Sequence, residues 1–455
     1  MSDYRVEKDF LGEIKIPQET WYGIQTIRGV GASQATGNTF SSHGMELIKA
    51  IAQIKIAEAR TNCQLGALSE KMAKAIEDAG LEILRGEHDD MFPVDILTGG
   101  GGISIHMNVN EVIANRATAI LGEKVHPNTH VNMGQSTNDV LPAAMLIMVN
   151  RMLNDLADEA DETAKVIAEK SQELADVVKL GRTCLQDAVP MSLGQQIGGW
   201  AANVSRQAQV CREAAAECLQ LPLGATAIGT GSGTHAGYEE IVFEELSQIT
   251  GLKVSQCDDL FDGLQNADHY LRFSAAFKSL AAAYSKISRD LRFMSSGPRG
   301  GIGEITIPSV LPGSSIMPGK INPTVPELMI QIYFIVAGND VAVSMAAEQG
   351  ELELNVWEAV MIKSFLENYR MLKTSVGLFR DCVAGIKANE DECLRQAENS
   401  IALAAIVSAK LGYEVGSQVA HKAIDDNMSV KEAAVALGIL TKDEADELLD
   451  VKKLY

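Results

Sequence analysis

The sequence contains few cysteines, seven in 455 residues, and none of them forms a CxxC pair. Because their number is odd and their positions are scattered, they indicate reduced thiols rather than a disulfide framework or a zinc site. Internal repeats and low-complexity tracts are also missing. With 46% hydrophobic and 22% charged residues, the composition is that of an ordinary globular chain, long enough for two or three domains.

Positive charge is likewise in short supply, with 39 Lys and Arg residues against 60 Asp and Glu and a net charge of -21. Such an excess of acid repels phosphate backbones and anionic membrane surfaces, so neither a nucleic-acid nor a membrane partner is expected. The first residues contain no apolar signal-peptide core. No run approaches the roughly 18 consecutive apolar residues that a membrane span needs. We therefore expect a cytoplasmic protein.

The most informative stretch is 312–323, PGSSIMPGKINP. Its prolines and glycines are incompatible with the interior of a helix or a central strand, so it is predicted to be a loop. Within it, Ser314, Ser315, Lys320 and Asn322 offer hydroxyls, a positive charge and an amide that together could surround a small carboxylate. Composition alone is equally compatible with a surface linker that happens to contain a lysine.

Two further polar loops are candidates for binding an anion. The glycine run that opens 99–108, GGGGISIHMN, lets backbone amides approach a ligand, although such runs are also common flexible turns. The loop 134–139, GQSTND, precedes a predicted long helix and ends in residues suited to cap it. Capping and anion binding are compatible, because helix N-termini attract anions.

Apolar residues recur in a three-four rhythm over about 140–177, which predicts a helix of roughly 55 Å at 1.5 Å per residue. Shorter helices are predicted at 44–60 and 67–85. A helix as long as the first must pack its apolar stripe against other long helices, in a bundle or a subunit interface. Comparable helical segments are predicted at about 191–219, 264–295, 324–347 and 355–384. Pro190 is expected in the first turn of the helix that follows it.

The loop 313–323 resembles the GSSxMPxKxN signature of the aspartase/fumarase superfamily, with every defining position present. The stretch 99–108 is similar to the family segment GGAGTSxNMN, and 181–190 is similar to GRTHLQDAxP. The segments 5–13 and 21–28 resemble the opening of aspartate ammonia-lyases. The sequence is therefore identified as a member of this superfamily, closest to aspartate ammonia-lyase, with 396–455 the poorest match.

The resemblance implies a mainly α, three-domain subunit. Its parts would be an N-terminal domain at 1–139, a central bundle of five long helices at 140–395 and a small C-terminal helical domain at 396–455. It also implies a homotetramer with a twenty-helix core, in which each active site is assembled from three subunits.

The resemblance further implies elimination of ammonia from L-aspartate or an aspartate-like amino acid to give fumarate. Ser314 would be the base, and an enediolate held by hydrogen-bond donors would be the intermediate. Glu327 matches a glutamate that pairs with the family's active-site histidine. No cofactor or metal is required. The residues implied to surround the small dicarboxylic substrate are Ile103, Ser136, Thr137, Asn138, Thr183, Cys184, Ser315, Lys320 and Asn322.

Two departures from the family pattern fall on residues implied to surround the substrate: Ile103 stands where a threonine is usual, and Cys184 stands where a histidine is usual. A thiol is a weak donor and does not replace a titrating imidazole. A C–N lyase for an N-substituted aspartate is therefore one alternative. A class II fumarate hydratase is another, disfavoured by the missing histidine. A catalytically silent structural homologue is the third, and the intact Ser314, Lys320 and Asn322 argue against it.

The histidines supply no stronger site. His126 and His130 are four residues apart, a spacing that can bind a metal on a helix, but Pro127 intervenes and no third ligand is evident. His106 and His269 are interpreted as structural.

Overall fold

A computed structural model of the chain describes residues 4–454 and is 63% helical. Residues 1–3 and 455, which belong to the predicted N-terminal and C-terminal domains, lie outside the described residues. Short 3-10 helices occur at Asp89–Met91, Ile401–Leu403 and Val451–Lys453, and a π-helix at Pro127–Val131. The α-helices are α1 Ile24–Ala32, α2 Phe40–His43, α3 Met45–Gln64, α4 Glu70–Leu84, α5 Ile103–Leu121, α6 Thr137–Glu173, α7 Leu193–Glu217, α8 Tyr238–Thr250, α9 Leu260–Gln265, α10 His269–Met294, α11 Thr324–Glu348, α12 Glu358–Ala384, α13 Glu390–Glu398, α14 Ala404–Leu411, α15 Tyr413–Asp425, α16 Val430–Ala436 and α17 Lys442–Leu448.

The predicted long helices are confirmed, and with them the mainly α fold class. Among the described residues, five helices have 25 or more residues: α6, α7, α10, α11 and α12. The longest, α6, has 37 residues. Its apolar stripe is buried as the three-four rhythm predicts, with Leu146, Leu153 and Leu156 at most 3% exposed.

Two of these helices, α6 and α11, have the length and mean hydropathy of a membrane span, although neither consists of one uninterrupted apolar run. In the most apolar 18-residue window of α6, 83% of the residues are buried, as in the core helix of a globular protein. In the corresponding window of α11, only 33% are buried. Length and composition alone are weak grounds for placing either helix in a membrane.

The chain divides into two compact units, each built from three separated stretches. Unit 1 comprises 1–157, 209–279 and 334–371. Unit 2 comprises 158–208, 280–333 and 372–455. The two units are defined by compactness, which does not test the predicted domain boundaries at 139 and 395. The three domains therefore stay a prediction.

Four two-stranded sheets accompany the helices in residues 4–454. All are antiparallel except β5–β6. The strands are β1 Tyr4–Asp9, β2 Gly12–Pro17, β3 Val178–Thr183, β4 Gln186–Ser192, β5 Gln220–Leu221, β6 Ser255–Gln256, β7 Ile305–Thr306 and β8 Lys387–Ala388.

The expectation for Pro190 was wrong. It lies inside β4, opposite Leu180, and α7 begins three residues later at Leu193. The register of this hairpin shifts between Leu180 and Arg182. Proline is tolerated at the edges and bulges of a sheet because the backbone N–H that it lacks is not needed there for a hydrogen bond between strands.

Each unit has its own core. In unit 1, α3 packs against α4 and α8, and 14 of its 20 residues are buried, polar residues included. In unit 2, the helices from α13 to α17 close around small apolar residues such as Val407, Val419 and Ala433, all fully buried.

Candidate active site

The loop 313–323 is irregular, as predicted, and hydrogen bonds close it at its base. The Gly313 N–H donates to the Lys320 carbonyl at 2.8 Å, and Asn322 Nδ2 donates to the Gly313 carbonyl at 2.9 Å. A Cβ at position 313 would lie 2.7 Å from both the Asn322 nitrogen and the Lys320 oxygen, so only glycine fits. Asn322, predicted to bind substrate, therefore also holds the loop together.

The Ser314 hydroxyl lies inside a local turn of this loop. Its Oγ accepts from the N–H of Ile316 at 3.2 Å and from the N–H of Met317 at 3.0 Å. Two amide donors aimed at one oxygen stabilise negative charge on that oxygen, which is what a serine alkoxide base requires. Ser315, the neighbouring predicted residue, is exposed.

Three of the predicted residues share a pocket of about 610 Å³ in unit 2: Lys320, Asn322 and Glu327. Neither Ser314 nor Ser315 lines it. The carboxylate of Glu327 lies 3.5 Å from the guanidinium of Arg292. Within this unit, the ion-pair partner of Glu327 is therefore an arginine.

Thr183 and Cys184 lie at the tip of the β3–β4 hairpin, with both side chains exposed. The turn consists of Cys184 and Leu185, which have φ values of 53° and 60°. Two consecutive residues in the left-handed conformation match the twist of a two-residue hairpin turn. For any residue other than glycine, this backbone conformation costs on the order of 1 kcal/mol.

The base of this hairpin is anchored by a buried ion cluster. The fully buried carboxylate of Glu304 is 2.7 Å from Arg182 Nη1 and 3.2 Å from Lys179 Nζ. Arg182 also donates to Gln396. The cluster therefore fixes strand β3, which ends at Thr183 and leads into the turn that contains Cys184.

In unit 1, the loop 134–139 caps α6, as predicted. The Ser136 N–H donates to Asp139 Oδ1 at 2.9 Å, and Ser136 Oγ accepts from the Asn138 N–H at 3.2 Å. Asp139 Oδ2 accepts from the N–H groups of Gly224 and Thr226 at 3.1 and 2.9 Å. Burial raises the pKa of the Asp139 carboxyl to about 6, although these amides act in the opposite direction.

The glycine run also lies in unit 1. Gly99, Gly100 and Gly101 line a pocket of about 720 Å³ together with Asn138. Ile103 begins α5 and is 43% exposed, but it lines a different pocket, of about 1190 Å³. The structure therefore brings Asn138 to the glycine run and places Ile103 outside that pocket.

Behind Thr137 is a buried chain of polar side chains that sequence reasoning missed. Thr137 Oγ1 lies 2.8 Å from His106 Nδ1, and His106 Nε2 lies 2.6 Å from Lys55 Nζ. Burial holds the pKa of His106 well below its usual range, with Lys55 acting in the same direction. Burial also lowers the pKa of Lys55 to about 7, opposed by Glu58 and Asp139.

Comparison with known proteins places this chain in a family. A model described as "Lyase" matches residues 12–338, and one described as "Fumarase C C-terminus" matches residues 403–455. An aspartate ammonia-lyase of Bacillus subtilis is 42% identical over 98% of this chain and 95% of its own length. The chain belongs to the aspartase/fumarase superfamily.

Members with a different activity are almost as similar. A class II fumarate hydratase of Bacillus subtilis is 38% identical to this superfamily member over 98% of each chain. A solved structure of a fumarate lyase:delta crystallin of Brucella melitensis has a TM-score of 0.95 and 39% identity over 99% of each chain. Overall similarity therefore establishes a lyase of this superfamily without selecting the substrate.

The C-terminal match adds to the sequence resemblance. The family motifs match this lyase least well over 396–455, yet the family model of the fumarase C C-terminus matches residues 403–455. The resemblance to the superfamily thus includes the C-terminal helices.

The other histidines of this lyase make local contacts. His126 Nδ1 accepts from the N–H groups of Asn128 and Thr129, and His130 Nδ1 accepts from the His126 N–H. His269 packs against the aromatic ring of Tyr270, and burial lowers its pKa to about 4.

One cluster of three possible metal ligands occurs in residues 4–454: Glu82, Glu87 and His88. Both oxygens of Glu82 are already bound to the guanidinium of Arg116, at 2.7 Å each. The cluster is therefore explained as an ion pair.

Proposed function

We propose that this lyase cleaves a C–N bond, eliminating ammonia from L-aspartate or an aspartate-like amino acid to give fumarate. The observation that carries the proposal is the pair of backbone N–H groups that converge on Ser314 Oγ in an intact GSSIMPGKINP loop. Support also comes from the aspartate ammonia-lyases that match almost the whole chain at 40 to 42% identity.

The proposed reaction begins with removal of a proton from the carbon next to the β-carboxylate. The Ser314 alkoxide takes this proton, and the electron pair of the C–H bond moves into the carboxylate as an enediolate. The electron pair of the enediolate then forms the C=C bond as the C–N bond breaks. Ammonia leaves with the electrons of the C–N bond. The hydroxyls of Ser136, Thr137 and Ser315 would stabilise the enediolate, an effect worth several kcal/mol.

The remaining predicted residues bind and orient the substrate in this proposal. Lys320 and Asn322 would hold the α-carboxylate, helped by Thr183, while Asn138 would contact the amine. The reaction as proposed uses no cofactor and no metal, because amide and hydroxyl donors stabilise the charge that develops.

An N-substituted aspartate is the second candidate substrate. Cys184 has less volume than the usual histidine, and its side chain is exposed at a hairpin tip. Ile103 adds an apolar surface that is 43% exposed. Space and an apolar surface on the amine side would favour a substituted amine.

We further propose a cytoplasmic homotetramer. From Phe334 onward, α11 carries large exposed apolar side chains, with Phe334, Val341 and Met345 between 59 and 62% exposed. Exposed apolar area of this kind is commonly covered in assemblies. The bundle core of a tetramer would cover it.

The test is the appearance of fumarate absorbance with L-aspartate, N-methyl-L-aspartate, L-malate or no substrate. Fumarate formed from L-aspartate or its N-methyl derivative supports the proposal. Formation from malate alone assigns a hydratase, and no formation from any substrate leaves a silent homologue.

The choice between the two amines is tested by the double variant Ile103→Thr with Cys184→His. If these residues set specificity, the variant turns over L-aspartate better relative to the N-methyl compound. An unchanged ratio eliminates them as specificity determinants.

A further inference from the structure

The buried chain behind Thr137 has a defined direction. Lys55 is fully buried, His106 is 1% exposed and Thr137 is 8% exposed. Lys55 Nζ has three polar neighbours at hydrogen-bond distance: His106 Nε2 at 2.6 Å, Asn132 Oδ1 at 2.8 Å and Gln135 Oε1 at 2.6 Å. When Lys55 is protonated, its ammonium group has three N–H bonds and no lone pair, so all three neighbours accept.

The two amide oxygens face Lys55 because the amide nitrogens are engaged elsewhere. Asn132 Nδ2 donates to the Gln135 carbonyl at 3.1 Å. Gln135 Nε2 donates to the carbonyls of Val131 and Met133 at 3.2 and 3.3 Å. Rotating either amide would break these bonds and point N–H groups at an ammonium. The acceptor character of both neighbours is thus fixed by the backbone.

The proton of His106 follows from the same count. With Lys55 protonated, His106 Nε2 is the acceptor, so the single proton of the neutral ring belongs on Nδ1, from which it is donated to Thr137 Oγ1. The Thr137 oxygen then has its acceptor role filled, and its own hydrogen is free to donate to another group.

In residues 4–454 the Thr137 hydroxyl has one hydrogen-bond partner, His106 Nδ1, so no carboxylate of these residues accepts its hydrogen. Asp139 accepts from the N–H groups of Ser136, Gly224 and Thr226. Glu58 Oε1 accepts from the hydroxyl of Tyr238, and Glu58 Oε2 has no hydrogen-bond partner in the described residues. The Thr137 hydroxyl lies at the N-terminus of α6, where an anion is stabilised by the helix dipole.

We propose that His106 is a positioning residue, held by Lys55 as the Nδ1–H tautomer so that the Thr137 hydroxyl donates its proton to a carboxylate of the substrate. The inference rests on the proposed function for the identity of that carboxylate. The family segment GGAGTSxNMN has asparagine at the position of His106. An asparagine side chain offers an N–H near the position of Nδ1 but does not extend to Lys55.

The proton position is tested directly by neutron diffraction from perdeuterated crystals of the whole protein, grown below pH 7. Deuterium on His106 Nδ1, with the Thr137 deuterium directed away from the ring, is expected. Deuterium on Nε2 overturns the proposal, because a neutral Lys55 would then be the acceptor and the Thr137 hydroxyl would donate to His106. This measurement requires no turnover, so it stands or falls separately from the proposed reaction.

The functional consequence is tested with a matched pair of variants. His106→Leu removes the donor, and His106→Asn retains an N–H near the δ position. We expect His106→Leu to weaken binding of succinate, a dicarboxylate that cannot eliminate ammonia, by about tenfold or more, and to raise KM for L-aspartate similarly. His106→Asn should restore binding to within about threefold of the parent protein. Equal losses in the two variants refute a role for the donor.

A double-mutant cycle separates positioning from packing. Thr137→Val removes the hydroxyl at constant shape, and adding His106→Leu to it should weaken succinate binding by less than about twofold. A full further loss in the Thr137→Val background would show that His106 acts without the Thr137 hydroxyl. If His106→Leu fails to fold, the neutron result and the His106→Asn variant still decide the question.

Discussion

Removing the Ser314 hydroxyl should slow catalysis by several orders of magnitude while leaving the fold intact. The hydroxyl accepts hydrogen bonds from two backbone N–H groups in a loop that is largely exposed. In Ser314→Ala, both N–H groups can form hydrogen bonds with water instead. The stability cost should therefore be below about 1 kcal/mol. Loss of a general base typically slows turnover by about a hundred- to ten-thousandfold, equivalent to about 3–5 kcal/mol of barrier.

The measurement is kcat for fumarate formation from L-aspartate in Ser314→Ala, with the melting temperature and succinate affinity measured alongside. Ser309→Ala is the matched control, because Ser309 is an exposed serine in the same irregular segment and has no predicted role. Turnover of Ser314→Ala within tenfold of the parent protein would remove Ser314 from the role of base. A matching loss in Ser309→Ala would show that the segment is sensitive to any truncation.

Three other predictions concern stability and assembly. Glu304→Gln leaves Lys179 and Arg182 without a buried counter-charge and should lower the free energy of unfolding by about 3–5 kcal/mol in urea titration; a loss below 1 kcal/mol would contradict this. Hydrogen bonds from Arg116 lower the pKa of Glu82 to about 2, so its stabilising contribution is complete above pH 4.5 and declines as pH falls toward 2. The melting-temperature difference between Glu82→Gln and the parent should accordingly shrink in acid, and a constant difference would refute the linkage. Light scattering at micromolar concentration should give the mass of four chains, whereas a monomer would exclude the proposed tetramer.

The features that sequence predicted well are those encoded locally. A three-four apolar rhythm is sufficient to place a long helix, and the bounds of α6 are within four residues of the predicted 140–177. The loop 313–323 follows from proline and glycine chemistry, and the cap formed by Ser136 and Asp139 follows from residue types three apart.

The features that sequence did not predict depend on residues far apart in the chain. Lys55 is 51 residues from His106 and 80 from Gln135, so no local pattern joins them. Lys55 also lies in a helix that is buried on nearly every side, where an amphipathic pattern would place a lysine at the surface. Likewise, the partner of Glu327 is set by the fold, which brings Arg292 within 3.5 Å of it.

The apolar surface of α11 has a consequence for how the protein is made. In the most apolar 18-residue window of α11 the mean hydropathy is 1.5 and only 33% of the residues are buried, so a freshly synthesised chain presents an apolar surface that the proposed assembly would cover. The rate of assembly rises with the square of the chain concentration, whereas unassembled chains are lost to non-specific aggregation from the moment this surface is exposed. For the proposed homotetramer, refolding yield should therefore pass through a maximum as the protein is concentrated. Too few partners leave α11 uncovered, and too many unassembled chains aggregate through it.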